Sequence, residues 1–189
     1  MEESSGKSLI IRVVGFGTIL APIVGYEFRG FTGVWPPIGQ SVQFFGAAIV
    51  SAVIALVGRV AKKSFRTKTS AIRAAIICSA LSLLAVVAYG CLFLMYVRNV
   101  TDQVTGETVY VSVGTQYTSE VTRLQALGKF PTPVTDEDIL KIAGVQDENI
   151  KKMWMPSSVF RVRAALLISY VLLLSSINFI TGALARVGD

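Results

Sequence analysis

Four stretches of this chain, residues 9–25, 42–58, 74–97 and 164–185, are apolar over a length that crosses a bilayer, and this constrains the fold more than any motif. Apart from Arg12, near the start of the first, they contain no charged side chain. Roughly 17–25 predominantly apolar residues match the thickness of a hydrocarbon core when helical. The pattern predicts an all-α integral membrane protein, a four-helix transmembrane bundle with spans at about 9–26, 42–58, 72–97 and 161–186. Residues 1–8 then form a cytoplasmic N-terminus and 59–71 a basic cytoplasmic loop. A small α+β extramembrane domain is expected at 98–160, between the third and fourth helices.

Composition agrees. Only 16% of the 189 residues are charged, against about 25% in ordinary soluble domains. The formal net charge is +6, which in this setting reads as membrane topology rather than as nucleic-acid binding, and no direct nucleic-acid contact is expected. The absence of histidine rules out histidine catalysis and histidine metal ligation. Cys78 and Cys91 lie on one predicted helix. At 1.5 Å rise per residue they are about 20 Å apart, too far to bridge, and read as small buried apolar side chains. Glu2 and Glu3 beside Lys7 do not resemble a cleavable signal, so the first helix is expected to be retained.

The connection between the second and third stretches carries Arg59, Lys62, Lys63, Arg66, Lys68 and Arg73 and no acid. Short basic connections stay in the cytoplasm. That assignment puts both termini on the same side, in a multi-pass protein of the bacterial inner membrane. The loop is the expected contact for a cytoplasmic protein partner or for anionic lipid.

Small residues recur at four-residue spacing, which permits close helix packing in lipid. They are Gly17, Ala21 and Gly25 in the first stretch, Ala47, Ser51 and Ala55 in the second, Ala71, Ala75 and Ser79 in the third, and Ala165 and Ser169 in the fourth. Stripes left unused inside one chain would serve a homo-oligomer. Ser175 and Asn178 share a face of the fourth helix and are suited to an inter-helix hydrogen bond or to a polar pore. Trp35 and Trp154 are placed as interfacial anchors.

In the segment at 98–160, alternation around Thr105-Gly106 predicts a hairpin from Gln103-Val104 and residues 108–113. A helix is expected at 119–127 with Gly128 as its stop, and another begins after Thr135 and ends at Gly144. Asp147 starts a further turn. The acids Asp136, Glu137, Asp138, Asp147 and Glu148 read as helix-capping groups rather than as a calcium site, since no calcium-loop spacing is present.

No phosphate loop, nucleophile elbow or zinc motif occurs, so no catalytic, cofactor or metal residues are assigned. The expectation is a non-enzymatic oligomeric membrane subunit, of a bacterial defence or signalling kind. It would sense or bind through its outer domain and couple to a cytoplasmic partner. The alternative is a pore or channel subunit, and a small-molecule transporter comes third.

Overall fold

The computed structural model describes residues 51–60, 67–101, 106 and 108–188. They form two compact units, the first drawn from 51–60, 67–89 and 168–188, the second from 90–101, 106 and 108–167. In chain order the elements are α1 (Ser51–Val60), α2 (Lys68–Tyr96), β1 (Val97–Thr101), β2 (Thr108–Ser112), α3 (Ser119–Ala126), α4 (Asp136–Ala143), α5 (Asp147–Met153) and α6 (Pro156–Gly188).

The second unit is an α+β fold built on one antiparallel hairpin. β1 and β2 pair from Val97 opposite Ser112 to Thr101 opposite Thr108. Strand residues two apart face the same way, so Val109, Val111 and Val113 turn one side of β2 toward the core. The helices complete it with Val121 of α3, Ile139 and Leu140 of α4, Ile150 of α5 and Val159 of α6. The hairpin's second strand lies where its alternation predicts. The first lies earlier than predicted, at Val97–Thr101, because the apolar helix α2 passes directly into it.

The three short helices follow their punctuation. α4 opens with a reciprocal capping box, in which the Thr135 hydroxyl accepts from the Asp138 amide and the Asp138 carboxylate accepts from the Thr135 amide. It closes at Gly144, whose φ of 87° is a conformation that a side chain disfavours. α3 ends before Gly128, and α5 carries Asp147 and Glu148 in its first turn and Lys151 and Lys152 in its last, complementing the helix dipole.

In the first unit, Ala71 and Ala75 of α2 pack against Ala183 of α6, with Ile180 beside them. This is the close approach that the small-residue spacing anticipates. The Asn178 side chain of α6 is buried and its Nδ2 donates to the Ile54 carbonyl of α1 at 2.5 Å. The rings of Tyr89 and Tyr170 are 6.0 Å apart. Much of α2 is left uncovered, including Ile76, Ile77, Leu81, Leu83 and Leu84.

The four-helix transmembrane bundle is not what the structure shows. Of six helices among the described residues, two are long and apolar enough to cross a membrane, Lys68–Tyr96 and Pro156–Ala185. α1 is too short over its described length, and the first apolar stretch lies outside the described residues. The four-pass topology falls with the bundle. So do the inner-membrane assignment with two cytoplasmic termini and the lipid, homo-oligomer and cytoplasmic partners inferred from it. The oligomeric sensor and pore readings are likewise replaced by a compact α+β unit with intramolecular packing. The physical reason is that an apolar run reports what a segment would tolerate around it. It does not report what the segment packs against: Val159, Val162 and Leu166 of α6 are buried within this one chain.

Candidate functional site

The chemistry-bearing side chains of the α+β unit gather in two polar networks and one exposed surface. In the first network, Arg98, just past the α2–β1 junction, donates from Nε and Nη2 to the same Asp136 oxygen, Oδ2, at 3.1 and 2.8 Å. Its Nη1 donates to the Leu94 carbonyl at 3.3 Å, satisfying an end group of α2. The other Asp136 oxygen accepts from the Tyr117 hydroxyl at 2.9 Å. Burial, followed by the hydrogen bond and charge of Asp136, pushes the Tyr117 hydroxyl up to about 12, partly offset by Arg98.

The second network centres on Asp147. Its carboxylate meets Lys151 Nζ at 2.8 Å and Arg163 Nη1 at 2.6 Å. Arg163 also donates from Nε to the buried Ser112 hydroxyl at 2.9 Å, joining β2, α5 and α6. Burial raises the Asp147 carboxyl. The hydrogen bonds and charges of Lys151 and Arg163 more than offset this and hold it below the usual carboxylate range. Glu120 is paired with Arg123 at 2.6 Å, and Asp138 serves the α4 cap. These acids are thus engaged with cations or helix ends.

Between the networks the backbone is pinned. Tyr117 and Trp154 form an antiparallel bridge, with rings 5.9 Å apart. The Met155 amide donates to the Gln116 carbonyl and the Thr118 amide to the Met153 carbonyl, each at 2.9 Å. Beyond this clamp Pro156 starts α6, a position where its missing amide hydrogen costs nothing. Ser158 and Val159 turn inward, whereas Met155, Ser157, Phe160 and Arg161 are exposed. Phe160 is 72% exposed. Lys152 and Arg161 are exposed and have no ion-pair partner among the described residues.

Several residues stand elsewhere than the sequence places them. Trp154 is wholly buried, so it is a core residue and no interfacial anchor. The antiparallel bridge draws it under Tyr117, a contact between segments 37 residues apart that no local pattern encodes. Asn178, in contrast, makes the inter-helix hydrogen bond that its place on the helix allowed, to α1, and does not line a pore, while Ser175 is half-buried. Cys78 is half-buried and Cys91 exposed, contrary to the buried reading of both. Arg59 ends near the close of α1, Lys68 begins α2 and Arg73 lies within it, all three exposed. Lys62, Lys63 and Arg66 of the basic loop, and Gly17, Ala21, Gly25, Trp35 and Ala47, lie outside the described residues. Ser51 is buried and Ala55 half-buried on α1.

The Arg98–Asp136–Tyr117 and Asp147–Arg163–Ser112 networks have no sequence signal beyond the residue types, because their members are far apart along the chain. The outward surface at 155–161 does have one, since Pro156 fixes the helix start and a 3.6-residue period then places Ser157, Phe160 and Arg161 on one side. No known protein family, curated protein or solved structure matches the chain.

Proposed function

We propose that this chain is a non-catalytic recognition module in which the α+β unit is the part that meets a protein partner. The observation that carries this reading is the exposed Phe160, with Arg161 beside it, on a helix that starts just after the Tyr117–Trp154 clamp and sends Val159 into the core. Aromatic residues, methionine and arginine are enriched at protein interfaces, and a rigid support lowers the entropy lost on binding. The acids of the unit support the non-catalytic part, since Asp136, Asp138, Asp147 and Glu120 each hold a structural partner. The sequence also lacks the histidine that most acid–base catalysis employs.

The test is photo-crosslinking of the full chain in the cell that produces it. A crosslinking residue is placed singly at exposed positions of the unit, Leu127, Ile142 and Phe160. Protein adducts that form from some of these positions and not from others support the reading. Failure at every position, with the chain folded, overturns it.

A further inference from the structure

We infer that the exposed start of α6 docks an acidic protein segment bearing an apolar anchor; this deepens the recognition reading and depends on it. Two features specify the occupant. The first is apolar: Phe160 stands 72% exposed and Met155 44% exposed, although the unit has a core into which such residues ordinarily turn. An exposed large apolar side chain offers an anchor, and an aromatic anchor that becomes buried on binding contributes much of the energy in many interfaces. The second is electrostatic. Lys152 and Arg161 lack an acidic partner among the described residues, whereas Arg98, Arg123, Lys151 and Arg163 each have one. Arg161, next to Phe160 on α6, is thus an uncompensated cation beside an apolar anchor, and the pair complements a segment with an acid flanking a large apolar side chain.

A lipid headgroup layer offers similar charge, but it fits the geometry less well. The aromatic residue of this stretch best suited to that layer, Trp154, is inside the core. The Tyr117 hydroxyl is engaged by the Asp136 carboxylate. The surface also sits on a backbone fixed by hydrogen bonds at Gln116, Thr118, Met153 and Met155, the support that a shaped protein contact exploits.

The experiment measures binding of the full chain to a fluorescent peptide of alternating glutamate and leucine with one central phenylalanine. A lysine version of that peptide and vesicles of anionic phospholipid are run beside it. Saturable binding of the acidic peptide is expected, weakening with added salt. Phe160→Ala and Arg161→Glu should each weaken it about tenfold, and Arg161→Lys should retain most of it. Both positions are exposed, and unchanged near-ultraviolet circular dichroism certifies that the variants are folded. No binding of the acidic peptide overturns the inference, as does binding that these substitutions leave unchanged. Binding to the vesicles alone also overturns it and assigns the surface to lipid headgroups. If crosslinks still form from Leu127 or Ile142 in those cases, the recognition reading stands and only its acidic partner is lost.

Discussion

The side-chain amide of Asn178 lies directly against the α-carbon of Gly58, in the space a β-carbon would fill there. From that position it reaches the Ile54 carbonyl one helical turn earlier. Gly58 is therefore the residue that allows α6 and α1 to share a buried hydrogen bond. Gly58→Ala should destabilise the first unit by about 1–3 kcal/mol, because any added methyl must displace the amide. Asn178→Leu should cost about 1 kcal/mol or more, through the lost hydrogen bond and altered packing. Denaturant unfolding of the single and double variants checks both. Since both act on one contact, their effects should not add.

Asp147 is the acid that neutralises Arg163, whose side chain is only 13% exposed. Asp147→Asn leaves that guanidinium half-satisfied. Removing one partner of a buried pair costs about 3–5 kcal/mol, and the partial exposure of Asp147 reduces the expected loss to about 1–3 kcal/mol. The carboxyl is held below its ordinary value of 3.8. Its contribution to stability is thus complete above that value and is lost as the pH falls through the lower folded value. Acid unfolding of Asp147→Asn should lack this component, which a comparison of midpoints from pH 5 down to pH 2 reveals.

Tyr117 provides the opposite signature. Its hydroxyl titrates near 12 in the folded chain against an ordinary value of 10.0. A raised folded value means stability that is full below 10.0 and lost as the pH rises through about 12. The absorbance difference at 295 nm between the parent chain and Tyr117→Phe should show one tyrosine ionising late. Asp136→Asn should lower that midpoint only in part, since burial is the largest cause of the shift.

The α4 ends are separately testable. Thr135→Ala removes the hydroxyl from the capping box and should cost about 1 kcal/mol. Gly144→Ala should cost about 1 kcal/mol because φ is 87° there. Faster amide exchange within α4 in both variants, with the β1–β2 hairpin much less affected, is the expected pattern.

A buried Trp154 has a spectroscopic consequence. In a Trp35→Phe background the remaining emission should be blue-shifted and poorly quenched by iodide, because Trp154 has no exposed surface. Red-shifted, readily quenched emission would contradict the core placement.

By itself the sequence determined the local elements wherever a short-range rule operates. Thr135 and Gly144 bracket α4 because capping and backbone conformation act within a few residues. Gly128 and Pro156 mark a stop and a start for the same reason, and the second strand follows its alternation. The spacing of Ala71 and Ala75 likewise foretold a close contact. Only the tertiary structure decided what those elements meet. Apolar length cannot distinguish α2, largely uncovered, from the start of α6, where Val159 enters the core and Val162 and Leu166 are buried. Trp154 became a core residue, and Arg98 joined Asp136 and Tyr117, through contacts between residues 19 to 38 positions apart. Such contacts depend on how the chain returns on itself, whereas hydropathy and periodicity describe each segment alone. The outward surface at Phe160 and Arg161 combines both sources: helix periodicity grouped its residues, and burial of Ser158, Val159 and Val162 left that side exposed.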